Sequence, residues 1–231
     1  MQRLDKLLSD AGVASRKELR SIIRAGRVMV DGRVVTSPEE KVDEQSSQVL
    51  VDGQPVGKQR RVVLMLHKPA GYVTSTDDPR DPTVMELIPE QYRYLDPKPV
   101  GRLDKDTEGL LLFTNDGQLA HHILSPRHKV WKRYYAEHPG QATQEDVDAF
   151  AAGLTLKDGD VCLPARLIPQ GPGRSIVEVC EGKYHQVRRM LASRGMPVQY
   201  LKRVAEGPLE LGDLPLGEMR EVDLADCTSL K

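Results

Sequence analysis

Cysteine is scarce in this 231-residue chain: there are three, Cys162, Cys180 and Cys227, and none is part of a C-x-x-C pair. That spacing excludes a disulfide framework and a structural zinc site, and it leaves reduced thiols of the kind expected in the cytoplasm. Aromatics are few as well, 4% of residues, with two Phe and one Trp. No apolar run approaches the roughly 20 residues of a membrane-spanning helix. The opening MQRLDKLLSD sets charges among its apolar positions and lacks a cleavable signal pattern. Tandem repeats and low-complexity tracts are absent. Neither sign of charge is in excess, the net being −1. Such a balance points away from a polyanionic partner, but its distribution points back. Residues 1–60 carry 11 Lys and Arg against 9 Asp and Glu, and Arg16, Lys17, Arg20, Arg24, Arg27 and Arg33 fall in one short segment. A local basic patch is the electrostatic footprint that matters for such a partner.

What is present is the composition of a soluble folded protein, 39% hydrophobic and 29% charged. The length suits one large domain or one medium and one small. The stretch Gly101 to Gly117, GRLDKDTEGLLLFTNDG, organises the rest. Asp104, Asp106 and Glu108 alternate ahead of Gly109. The apolar run Leu110 to Phe113 follows, closed by Asn115-Asp116-Gly117, and reads as a buried strand. Carboxylates crowded against a core must be paired or solvated, so the cluster suggests chemistry. Two plainer readings stand beside it. One is an acidic surface loop. The other is a calcium loop, since Asp104, Asp106, Glu108 and Gly109 occupy its first, third, fifth and sixth positions. Its twelfth position falls on Asn115, which cannot replace a bidentate Glu.

Towards the amino terminus, Leu4, Leu7, Leu8 and Ala11 recur at helical spacing, and Gly12 ends that helix. Ser15-Arg16-Lys17-Glu18 is a capping box. It opens a second helix to about Ala25, with Leu19, Ile22 and Ile23 buried and Arg16, Arg20 and Arg24 on the other face. Asp31-Gly32 between Val28–Val30 and Val34-Val35 predicts a hairpin, and Asp52-Gly53 a second one. Gly57 to Arg61 reads as a linker. Beyond it, Val62 to Leu66 is a buried strand, Gln118 to Leu124 and Glu145 to Ala152 are helices, and Ser175 to Cys180 is a strand. A further helix follows with Tyr184, Val187, Met190 and Leu191 as its buried stripe. Val198 to Val204 is the last core strand. His121 and His122 fall on a helix surface without ligand spacing, and no metal is expected.

Gly101, Arg102, Leu103, Asp104, Gly109, Leu110, Leu111, Thr114 and Gly117 together resemble the signature of the pseudouridine synthases that share a Gly-Arg-Leu-Asp motif. His67-Lys68-Pro69-Ala70-Gly71, Lys132-Arg133-Tyr134, Gly182 to Arg188 and Leu201-Lys202-Arg203 resemble further motifs of that family. Tyr72 to Pro79 and Ser125-Pro126-Arg127-His128 are similar to its small-subunit ribosomal RNA branch. The resemblance implies Asp104 as the catalytic carboxylate, Arg188 as its basic partner and Tyr134 as the active-site tyrosine, with a core aromatic the plain alternative for Tyr134. It places Arg102, Leu201 and Arg203 near the substrate. Lys68 stands between a phosphate contact and a structural salt bridge, and His185 and Arg189 between RNA contact and ordinary surface roles. Arg3-Leu4-Asp5, Leu8, Ser15-Arg16, Ile23, Gly26, Val28, Val30, Asp31 and Gly32 resemble the alpha-L RNA-binding domain. That likeness implies Arg3, Arg16, Lys17, Arg20, Arg24 and Arg27 as RNA contacts, since arginines one turn apart can each reach a phosphate.

The expectation is an α+β protein: a small amino-terminal RNA-binding domain over 1–59 and a larger, mainly antiparallel catalytic domain over 62–231. By that resemblance it would act as a monomer, without cofactor or metal, isomerising a specific uridine of ribosomal RNA, small-subunit RNA by preference, either naked or in an assembling subunit. The rival substrate is large-subunit RNA, and the rival function a non-catalytic RNA-binding assembly protein.

Overall fold

The computed structural model describes residues 1–44, 46–57, 61–93, 95–223 and 226–227. The predicted linker therefore lies partly outside the described residues, at Lys58, Gln59 and Arg60. The chain divides into two compact units, residues 1–61 with 90–96, and residues 62–89 with 97–231.

In the first unit, α1 (Leu4–Asp10) and α2 (Arg16–Arg24) pack on a sheet of β2 (Val28–Val30), β3 (Arg33–Val35), β5 (Val49–Val51) and β6 (Gln54–Pro55). A two-stranded ribbon pairs β1 (Gln2–Arg3) with β4 (Lys41–Val42), and a short α3 (Glu90–Arg93) belongs to the same unit. Both predicted hairpins form, turning at Asp31-Gly32 and Asp52-Gly53. The capping box is complete: the Ser15 hydroxyl accepts from the Glu18 amide while the Glu18 carboxylate accepts from the Ser15 amide. Leu4, Leu8, Leu19 and Ile23 close the core against Val28, Val30 and Val49.

The second unit is built on a sheet of nine strands among the described residues. Its path runs β11 (Arg166–Pro169), β12 (Arg174–Val179), β10 (Lys132–Glu137), β13 (Tyr200–Glu206), β9 (Glu108–Thr114), β7 (Val63–Lys68) and β15 (Met219–Glu221). Two more strands join it, β8 (Lys98–Val100) on β9 and β14 (Leu209–Glu210) on β13. Every pairing is antiparallel except β9 with β13. The helices are α4 (Gly117–Leu124), α5 (Gln144–Ala152) and α6 (Gln186–Ser193). Alternate residues of β7 and β9, among them Val63, Met65, Leu110 and Leu112, close one core with Leu119 and Ile123 of α4.

The parallel junction sets the position of the site. Gly109 faces Arg203 across it, and a Cβ on Gly109 would lie 2.2 Å from the Arg203 carbonyl oxygen. Its φ of +109° is also one that side chains rarely adopt. Only glycine lets these two strands approach so closely.

Two expectations are corrected. Tyr184 is not part of a buried helical stripe: α6 begins at Gln186, and Tyr184 precedes it, 72% exposed. The strand at 200–206 is not the last, because β14 and β15 follow it and β15 pairs with β7.

Candidate active site

Asp104 sits in the loop between β8 and β9, and that loop is fixed from below. Lys68, at the end of β7, is fully buried. Its Nζ donates to the carbonyls of Asp104 at 3.1 Å, Lys105 at 3.3 Å, Thr107 at 3.0 Å and Pro69 at 3.0 Å. The expected phosphate contact or salt bridge is therefore replaced by something else: an ammonium without solvent access gathers the loop's main chain. Burial pulls the Lys68 pKa down to about 8, against the opposing pull of Asp106, Asp104 and Glu108. The Thr107 amide closes a turn onto the Asp104 carbonyl, and the Gly71 amide donates to the Lys105 carbonyl. Thr74 holds Leu103 by both its amide and its carbonyl. Main-chain bonds of this density pre-organise the carboxylate before any ligand arrives.

Above the loop, α6 and the turn before it contribute a guanidinium and an imidazole. Arg188 Nε lies 3.5 Å from Asp104 Oδ2, while its Nη2 lies 3.0 Å from Asp106 Oδ2 and donates to Thr107 Oγ1 at 3.2 Å. Arg188 is thus held more closely by Asp106 and Thr107 than by Asp104. Sequence reasoning missed both: Asp106 stood out only as a member of the acidic cluster, and Thr107 has no motif signal. His185 Nε2 approaches Asp104 Oδ1 at 3.5 Å. Glu108 faces elsewhere and accepts from the Tyr200 hydroxyl at 2.6 Å. Asp104 and Asp106 therefore share Arg188, while Glu108 is partnered apart from them.

Asp104, Tyr134, Arg188 and His185 line one cavity of about 490 Å³, with Arg102, Leu201 and Arg203 also on its wall. That size lies in the range of small-ligand sites. Tyr134, on β10, is 9% exposed, and burial pushes its phenol pKa up. Tyr135 points the other way and donates to Glu137. Tyr134 pairs across the sheet with Arg203, which is almost wholly buried. Arg203 Nε donates to the Leu110 carbonyl at 2.6 Å, and its Nη2 lies 3.4 Å from the buried Glu206. The Arg203 guanidinium is thereby engaged by the protein itself at the cavity wall. Arg189 is drawn away from the cavity: it pairs with Asp158, pairs with Asp160 at 2.9 Å, and donates to the Tyr184 carbonyl at 3.0 Å.

In the first unit, a fully buried Asp5 gathers three guanidiniums. Arg3 Nη2 stands at 3.0 Å, Arg16 Nη2 at 3.4 Å and Arg20 Nε at 3.9 Å. Arg27 pairs with Asp52. Arg16, Lys17, Arg20, Arg24 and Arg27 are all exposed.

Residues 62–193 match the family model described as RNA pseudouridylate synthase, and residues 2–47 match that of the S4 domain. The chain is 42% identical to an uncharacterized RNA pseudouridine synthase of Bacillus subtilis, across 95% of this chain and 94% of that one. It is 41% identical to ribosomal small subunit pseudouridine synthase A of Vibrio parahaemolyticus, across 96% and 98%. The Pseudomonas aeruginosa protein of the same description is 40% identical, across 99% and 100%. A crystal structure of a pseudouridylate synthase, 30% identical, superposes with a TM-score of 0.70 over the whole of both chains. Among the described residues, no helix is long and apolar enough to cross a membrane.

Proposed function

Because the chain belongs to the RNA pseudouridylate synthase family and carries an S4 domain, we propose that it isomerises a specific uridine of small-subunit ribosomal RNA to pseudouridine. The observation that carries this reading is the arrangement about Asp104: a carboxylate on a loop knitted by Lys68, faced by Arg188 and His185, in a cavity that Tyr134 also lines. The choice of small-subunit RNA rests on the relatives from Vibrio parahaemolyticus and Pseudomonas aeruginosa.

The reaction breaks the N1–C1′ bond, turns the uracil and joins C5 to C1′. The C5 proton leaves and N1 gains one, so no atom enters or departs and no redox step is needed. The uridine must first leave its stack, since C5 and the sugar are enclosed in a helix. A carboxylate can free the base by attacking C1′ or by taking the C2′ proton, and both routes use the ionised form. Arg188 supports that form by a charge-assisted contact. Tyr134 offers its ring to the flipped uracil where the C5 proton departs. Arg102 and Leu201, on the cavity wall, contact the substrate, and Arg203, on the same wall, acts through Tyr134. The protein acts as a monomer in a reducing cytoplasm, a setting that suits three cysteines that are free and buried.

The test is to incubate the protein with unmodified ribosomal RNAs of both subunits and map pseudouridine chemically. Wild type is expected to modify one or a few small-subunit uridines. Asp104→Asn is expected to bind that RNA and modify none. Activity surviving in Asp104→Asn would falsify the role of Asp104, and modification confined to large-subunit RNA would overturn the substrate assignment.

A further inference from the structure

Tyr184 sits at the rim of the cavity with 72% of its surface exposed, unlike Tyr134 inside it. One face of its ring is covered by the His185 imidazole, with ring centres 3.9 Å apart and planes 17° from parallel. His185 in turn stands 3.5 Å from Asp104. A stack of two rings therefore runs outward from the carboxylate and ends on an open aromatic face.

The turn that presents this face is tied down on every side. The Lys183 amide donates to Gln186 Oε1 at 3.0 Å, the Gln186 amide donates to the Lys183 carbonyl at 3.2 Å, and Gln186 Nε2 donates to Glu181 at 2.6 Å. Arg189, itself anchored on Asp158 and Asp160, donates to the Tyr184 carbonyl. His185 adopts a left-handed φ of +46°, a conformation that costs a non-glycine residue energy and is kept where the surroundings enforce it. That backbone turns the imidazole toward Asp104 and leaves the phenol outside. An aromatic ring held still in water, half stacked, at the mouth of a nucleotide-sized cavity is the form of a base-stacking platform.

We propose that Tyr184 is the stacking platform for the nucleotide next to the target uridine: the flipped uracil enters the cavity and its neighbour's base lies on the open face of the phenol. The inference rests on the pseudouridine synthase reading and adds to it a positioning residue for the flanking base. Stacking on a π-face needs the ring and not the hydroxyl, so phenylalanine serves and alanine does not.

The test measures initial rates of pseudouridine formation against concentration of an unmodified small-subunit ribosomal RNA transcript, for wild type, Tyr184→Ala and Tyr184→Phe. The alanine variant is expected to raise KM about tenfold or more, as loss of one base–aromatic stack does, with kcat within about twofold of wild type. The phenylalanine variant is expected to restore KM. An alanine variant with wild-type KM, a loss of kcat alone, or a phenylalanine variant as impaired as alanine overturns this inference and leaves the enzymatic reading intact. A wild-type protein that forms no pseudouridine overturns that reading, and this inference with it.

Discussion

A lysine ammonium has three N–H donors, and Lys68 directs them at four main-chain carbonyls, three of them in the loop that carries Asp104. Deprotonation leaves two donors and a lone pair facing the same oxygens, so the grip on the loop weakens. With the Lys68 pKa drawn down to about 8, activity is expected to fall as pH rises through about 8. Stability moves the other way. Because the folded pKa lies below the unfolded value of about 10.4, the unfolded chain binds more protons between those limits, and Lys68 makes stability rise with pH across them. Rates of modification and urea melts, both followed from pH 6 to 10, check the two opposed trends. Lys68→Met is expected to lower activity and erase the alkaline limb, since uncompensated buried carbonyls disorder the loop. An activity profile flat to pH 9.5 in wild type would remove Lys68 from this account.

At the scale of the element, α6 delivers a planar fork and not merely a charge. Arg188 reaches Asp104, Asp106 and Thr107 from one guanidinium, and a lysine ammonium cannot span those three positions. Arg188→Lys is therefore expected to cost at least about tenfold in kcat, with a thermal midpoint near that of wild type. Equal kcat would mean that charge alone suffices. The same helix shows what periodicity reveals and what it does not. Hydrophobic spacing identified α6, and Ser15, Glu18 and the Asp-Gly pairs gave the caps and hairpins their places, because those signals are local chemistry. The start of α6 was misjudged because His185 takes a left-handed backbone without the glycine or asparagine that announces one. Tyr184 was consequently assigned to the wrong side of the boundary. The parallel pairing of β9 with β13 was equally invisible, since it joins residues nearly a hundred positions apart and leaves only Gly109 as its trace. The convergence of Asp104, Tyr134 and Arg188 was expected from the family resemblance. Asp106 and Thr107, which hold Arg188, were legible only in three dimensions.

For the molecule as a whole, a chain of net charge −1 must attract a polyanion through local arrangement. We propose that the first unit does so around Asp5, a buried carboxylate that draws Arg3, Arg16 and Arg20 to one place. Hydrogen bonding from Arg3 holds the Asp5 carboxyl below its usual range, outweighing its desolvation. The sign follows: the stabilisation from Asp5 is fully present above the ordinary carboxylate value of about 3.9, and it is lost as pH falls through the lower folded value. Amide protection factors in residues 1–57, corrected for the intrinsic slowing of exchange in acid, are thus expected to fall on acidification below about pH 4, and less steeply in Asp5→Asn. The binding consequence is separate. Arginines that meet phosphates release counterions, so affinity for ribosomal RNA falls with salt in proportion to the number of contacts. Arg20→Glu is expected to weaken binding and to reduce the log–log salt slope by about one. Asp5→Asn keeps every cation but frees its three arginines from their common anchor, so it is expected to weaken binding at each salt concentration while changing the slope little. A slope unchanged in Arg20→Glu would clear α2 of phosphate contact. A slope that drops in Asp5→Asn as far as in Arg20→Glu would mean that the carboxylate governs how many arginines reach the RNA, not merely how well they are held.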